Sequence, residues 1–132
     1  MIKTNHKLAV AALAGALLTI GGGRLLRAQE AKTPPAYVIA EVEVTDPVTL
    51  KKYTATVSDI VASHGGHYVI RGGGKIQSLE GEPVKGAIVV IGFASAEKAR
   101  AWYDSPEYAA IRPYRQSSTK SRIYIAEGVA PE

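Results

Sequence analysis

Along residues 36–44 apolar and mixed positions alternate, with Val38, Ala40, Val42 and Val44 on one face and Tyr37, Ile39, Glu41 and Glu43 on the other. A period of two predicts a strand with one packed face and one mixed face. Asp46-Pro47 then supplies an N-cap and a first-turn proline. Leu50, Tyr53, Val57, Ile60, Val61 and His64 recur at helical spacing behind it, up to the stop at Gly65-Gly66. A second strand follows at residues 67–71. Gly72-Gly73-Gly74 interrupts it, and residues 75–79 read as its continuation past a bulge or sharp bend. After a turn at residues 80–83, residues 87–93 are almost wholly apolar, as expected of a central strand covered on both faces. Ser95 caps a second helix carrying Ala99, Trp102 and Tyr103; Ser105-Pro106 restarts it as a short segment predicted to end before Pro113. Residues 122–127 alternate again, with Ile123 and Ile125 sharing a face.

The predicted order is β-α-β-β-α-β, an α+β pattern. It matches the ferredoxin-like split βαβ arrangement, a four-stranded antiparallel sheet with both helices on one face. In that topology the first and third strands are central, and these are the two most apolar strands of the chain. The other sheet face would carry Ile39, part of Tyr37 and residues of the third strand. It is too apolar for solvent, so two such sheets are expected to pack face to face in a homodimer.

Ahead of this domain, residues 1–7 are polar with two lysines, and Leu8 to Ile20 is an unbroken apolar run. Such a run suits the apolar core of a secretory signal and falls short of the ~20 residues that span a bilayer comfortably. Gly21 to Gly23 break the helix, and Leu26-Arg27-Ala28 forms a poor cleavage site, with Leu where a small residue is preferred. Residues 1–28 are therefore read as a secretory signal, cleaved or kept as an uncleaved membrane anchor, residues 29–35 as a linker, and residues 36–128 as the domain. The expected destination is the periplasm or the cell exterior.

The leader also changes the meaning of the charge. The chain has a formal net charge of +4, from 16 Lys and Arg against 12 Asp and Glu. Lys3, Lys7, Arg24 and Arg27 all lie in the acid-free leader, and without these four the balance is 12 against 12. The domain lacks the basic footprint of a nucleic-acid binder. With no cysteine in the chain, disulfides, thiolate nucleophiles and Cys-based metal sites are excluded.

Several short motifs occur in a fixed order: Ala36-Tyr37-Val38, Asp46-Pro47 with Tyr53, His67-Tyr68-Val69-Ile70-Arg71-Gly72-Gly73, and Glu80-Gly81. They are followed by Ile91-Gly92-Phe93, Ala99-x-x-Trp102-Tyr103 and Ser105-Pro106-x-Tyr108-x-x-x-Arg112. Together they resemble the bacterial family catalogued as domain of unknown function 1330, a branch of the dimeric α/β barrel superfamily, over about residues 36–128. The resemblance implies the fold and the dimer and no activity. The wider superfamily includes cofactor-free monooxygenases, isomerases and haem-binding enzymes, a breadth that says little about chemistry in one member.

Four groups of residues are candidates for chemistry. His64 and His67 have the spacing of a metal pair, but zinc wants at least three protein ligands and no third histidine or cysteine follows, so no metal or cofactor is expected. Arg71 before three glycines could clamp an anion while backbone N–H groups approach it. Trp102, Tyr108 and Arg112, with Tyr53, could line a pocket for an aromatic or carboxylated molecule. Glu41, mid-strand among apolar neighbours, and His67 are the candidates for moving a proton. The leading expectation is a small-molecule site between sheet and helices, held by Arg71, Arg112, Tyr53, Trp102 and Tyr108, as a binder or a cofactor-free enzyme. The rival is a non-catalytic structural or interaction module in which the same glycines and aromatics serve folding and dimerisation.

Overall fold

A computed structural model describes residues 32–132, so the predicted signal of residues 1–28 lies outside the described residues. The alternation at the start of the domain forms β1 (Ala36–Val44). Asp46 then starts α1 (Pro47–Thr54), its carboxylate accepting from the backbone N–H of Val48 and Thr49 at 3.0 and 3.1 Å. These bonds, with that of the Thr49 side chain first, hold the Asp46 carboxyl below its ordinary range.

The helical spacing from Leu50 to His64 predicts one continuous helix, and the structure makes two. Thr56 leaves the helical region at φ −127°, and α2 (Val57–Ser63) begins in a new direction. The break falls in Thr54-Ala55-Thr56, where threonine hydroxyls compete for backbone groups; Thr54 Oγ1 donates to the Lys51 carbonyl at 3.4 Å. The redirection carries Val57 and Val61 into the core. Gly65, at φ +76°, then turns the chain into β2 (His67–Ile70).

Residues 75–79 form no strand. They belong to an exposed loop that runs from Arg71 to β3 (Ala87–Phe93), so the expected resumption of β2 is corrected: Ile70, past the bulge, still pairs with Val90, and beyond it no further pairing with β3 is made. Gly86 ends this loop at φ +82°, with the Val42 carbonyl where a Cβ would stand.

Ser95 and Ser105 cap α3 (Ala96–Tyr103) and α4 (Pro106–Ser118), each accepting from a backbone N–H three residues on. The expected end of α4 before Pro113 is also corrected. The helix runs through that proline to Ser118, although proline removes a backbone donor at a cost of ~3 kcal/mol. Packing of Tyr108 and Ile111 against the core, with the Ser118 hydroxyl donating to the Tyr114 carbonyl beyond the proline, offsets the loss. β4 (Thr119–Glu127) completes the sheet.

The strand order is β2-β3-β1-β4, all neighbours antiparallel, with the two apolar strands central as the ferredoxin-like pattern requires. Each of its two helices is broken into a pair. Register sorts the faces: Val38 opposes Ile91 and Ile125, and Ala40 opposes Val89 and Ile123, on the helix-covered side. There Val57, Val61, Phe93, Ala99, Trp102 and Tyr108 close the core. On the other side Ile39 opposes Val90 and Tyr124, and Ile70 and Tyr124 stay 46% and 43% exposed. Among the described residues, no helix is long and apolar enough to cross a membrane.

Candidate functional site

The helices do not fill the space above the sheet. Between the inward-facing residues of all four strands and the four helices lies a cavity of about 380 Å³. Its floor comes from the strand alternation, with Val38, Ala40, Val89, Ile91 and Ile123, and aromatic side chains close it above. Alternation decides this floor: every second residue of β1 and β3 points here because its neighbours point to the open face. A larger groove of about 450 Å³ is lined by charged side chains, among them Glu41, Glu43, Lys120 and Arg122, on the open side of the sheet. The inner cavity is the apolar one, and its polar groups converge.

Those polar groups form a chain. The Tyr53 and Tyr108 hydroxyls lie 3.4 Å apart with their rings edge to face, centroids 6.3 Å apart. Arg115 Nε donates to the Tyr108 hydroxyl at 3.3 Å, and its Nη1 donates to Ser121 Oγ at 2.7 Å. Burial, reinforced by the neighbouring Tyr108, pushes the Tyr53 phenol far above its ordinary value. Tyr53 is therefore a neutral hydrogen-bonding group at any physiological pH and not a source of phenolate. Tyr108 stacks on Trp102 with centroids 4.2 Å apart, and Trp102 on Phe93 at 5.7 Å. The Trp102 indole N–H is buried with no acceptor among the described residues.

Of the residues proposed from sequence, Tyr53, Trp102, Tyr108 and Arg71 all line this cavity. Arg71 stands at its exposed rim, its guanidinium 4.1 Å above the Tyr68 ring centroid and its Nη1 donating to Ser58 Oγ at 3.2 Å. The next two residues, Gly72 and Gly73, adopt φ +87° and +74°, a backbone that suits glycine and turns the chain away at that rim.

Three candidates fall elsewhere. Arg112 lies outside the cavity, its guanidinium 5.0 Å from the Tyr103 centroid and its Nη1 donating to the Tyr103 carbonyl at 3.4 Å. One helical turn before Arg115, it faces the outer side of the aromatic cluster. Glu41 is on the open face of the sheet, where Arg122 opposite it donates Nε and Nη2 to one carboxylate oxygen at 2.9 and 2.5 Å. His67 is on that same face, lying over Gly92; a Cβ at position 92 would come within 2.7 Å of its ring. Neither Glu41 nor His67 can move a proton in the cavity, because the sheet stands between.

The two histidines also separate. His64 closes the end of α2, its Nδ1 2.9 Å from the Ile60 carbonyl, to which it donates, and its Nε2 3.9 Å from Glu107. Among the described residues, no three His, Asp or Glu side chains gather as a metal site.

Arg115 is the polar group lining the cavity that sequence reading missed. With α4 ended before Pro113 it fell in a predicted loop. Seven residues beyond Tyr108, it shares that residue's helical face as soon as the helix is allowed through the proline.

Solved structures with the same fold include a protein of unknown function from Rhodopseudomonas palustris, 15% identical, with a TM-score of 0.60 over 89% of this chain and 100% of that one. SnoaB, a cofactor-independent oxygenase from Streptomyces nogalater, is 10% identical, with a TM-score of 0.53 over 76% of this chain and 100% of its own. A dimeric protein of unknown function with a ferredoxin-like fold from Bacteroides fragilis is 12% identical, with a TM-score of 0.50 over 71% of this chain and 96% of that one. No curated protein matches the sequence. At these identities the likenesses are those of fold, while the ordered motifs from Ala36 to Arg112 identify the family itself: a family model matches residues 35–129, and the chain belongs to the family described as domain of unknown function (DUF1330).

Proposed function

We propose that this protein is an exported homodimer that binds a small, mainly apolar molecule in the cavity between its sheet and helices. The observation that carries the reading is the cavity itself: about 380 Å³, floored by aliphatic side chains, with the Tyr53, Tyr108 and Arg115 polar groups meeting at one wall. That is the size and make-up of a small-molecule pocket, an apolar enclosure with a few convergent polar groups. Binding is favoured over proton-abstraction chemistry because no carboxylate or imidazole lines the cavity among the described residues, and Tyr53 is held neutral. The fold shared with SnoaB is compatible with a cofactor-free enzyme and supplies no base.

The homodimer is supported by the open sheet face, where Ile39, Val90, Ile70 and Tyr124 surround the Glu41–Arg122 pair. Export is supported by the sequence pattern of residues 1–28, and N-terminal sequencing of the protein from the periplasmic fraction tests it.

The binding reading is tested with the neutral fluorescent probe N-phenyl-1-naphthylamine and the full chain. Saturable binding is expected, and Ala40→Phe, which places a ring in the cavity from the middle of β1, abolishes it while far-UV circular dichroism stays unchanged. Probe binding that is unaffected by Ala40→Phe in a folded variant overturns the proposal.

A further inference from the structure

Arg115 is only 6% exposed, yet it has no counter-ion among the described residues. Among the described residues, the ion pairs formed within 4.0 Å involve His64, Arg100 and Arg122, not Arg115. Its two hydrogen-bond acceptors, the Tyr108 hydroxyl and Ser121 Oγ, are both neutral. Burial pushes up the phenol of Tyr53, the next group along, so no phenolate supplies the missing charge. A guanidinium carries five N–H donors, and two are used here. Its Nη2 bonds to no described residue. Arg115 lines the apolar cavity and also borders a polar groove with Gln116 and Thr119. A buried cation compensated only by neutral hydroxyls is a costly arrangement in a folded domain. A ligand anion would supply the missing charge together with the fork geometry that guanidinium groups favour.

We propose that Arg115 binds the carboxylate of a small hydrophobic monocarboxylic acid, whose aliphatic or aromatic body fills the cavity between sheet and helices. This inference rests on the cavity being a binding site, as proposed above. The charge count selects a monoanion: one buried guanidinium neutralises one negative charge, and no lysine lines the cavity. Arg71, at the rim, is exposed and already engaged by Tyr68 and Ser58, in a position where solvent and salt screen it. The lining selects the body, since Val38, Ala40, Val89 and Ile91 offer no hydrogen bonds from their side chains and Trp102 offers a ring face. A polar acid such as a sugar acid would leave hydroxyls unpaired there.

The test is displacement of N-phenyl-1-naphthylamine from the wild-type full chain by octanoate and phenylacetate, each compared with its own amide. At neutral pH each acid is expected to displace the probe at a concentration at least about tenfold below that of its amide, the scale of one charge-assisted hydrogen bond. In Arg115→Met the ratio of displacement by acid to displacement by amide should fall to about one. Equal displacement by acid and amide, with the probe bound, overturns the assignment of Arg115 and leaves the cavity reading standing. Failure of the wild-type chain to bind the probe overturns both. The comparison of acid with amide needs no variant, so it decides the matter even if Arg115→Met does not fold.

Discussion

Trp102 is the side chain on which the aromatic wall of the cavity depends. It is 1% exposed, and its ring lies 4.2 Å from that of Tyr108, 5.7 Å from Phe93 and 6.2 Å from Tyr103 by centroid. Truncation to alanine should cost about 3–5 kcal/mol, the range for a buried indole whose site cannot collapse. A small domain has about 5–15 kcal/mol in all. At roughly 4–8 °C per kcal/mol for this size, Trp102→Ala should lower the melting temperature by at least about 12 °C. Trp102→Phe separates packing from polarity. It removes roughly three buried heavy atoms, a loss of about 2 kcal/mol at ~0.8 kcal/mol for each methylene-sized group. It also removes an indole N–H that is buried without an acceptor, which returns about 1–3 kcal/mol. The two nearly cancel, so Trp102→Phe should lie within about 1 kcal/mol of wild type. Urea denaturation followed by far-UV circular dichroism at one fixed protein concentration measures both variants; Trp102 is the sole tryptophan, so fluorescence would be lost with it. If Trp102→Phe costs as much as Trp102→Ala, the buried N–H is not a liability and the accounting is refuted.

Alkaline pH should destabilise the domain through Tyr53. Its phenol is raised in the folded chain by burial and then by Tyr108, so the folded state keeps its proton where the unfolded state loses it. The stabilisation is complete below the unfolded value of about 10 and declines as pH rises beyond it. Tyr53→Phe should flatten that decline in denaturation curves taken between neutral and alkaline pH, and an unchanged slope would refute the assignment. Gly86→Ala should cost about 2 kcal/mol or more, because it places a Cβ on a left-handed backbone against the Val42 carbonyl; a melting temperature equal to that of wild type would contradict this. Val90→Lys, in the middle of the open sheet face, should convert the proposed homodimer to monomer in sedimentation equilibrium, and an unchanged mass would count against that face as the interface.

How much was legible in the sequence follows from the range of the interactions involved. Alternation at residues 36–44, the apolar run at 87–93 and the caps Asp46, Ser95 and Ser105 depend on residues a few positions apart, and they were enough to specify the element order and hence the ferredoxin-like topology. Glu41 was counted as a candidate for moving a proton although alternation already set it on the face opposite to Val38 and Ala40, away from the helices, so its exclusion from the cavity follows from the pleat. Tyr53, Trp102 and Tyr108 reached the cavity because helical spacing already placed them on inward faces.

Other features were decided between elements distant in sequence. Spacing alone did not show the break at Thr54-Ala55-Thr56, because both halves of that helix keep apolar residues at helical intervals and only the core they meet gives them different directions. Pro113 is a local signal to stop, and it was overridden by the packing of Tyr108 and Ile111 against the core, an energy that exists only once α4 lies against the sheet and α1. The same packing created the charged group at the centre of the proposed site. In sequence Arg115 is one basic residue in a polar stretch; the chain from Tyr53 through Tyr108 and Arg115 to Ser121 joins three elements. Sequence determined which side chains each element carries and which face they occupy. Tertiary structure decided which of them lose water, because desolvation belongs to the assembled layers and not to any segment.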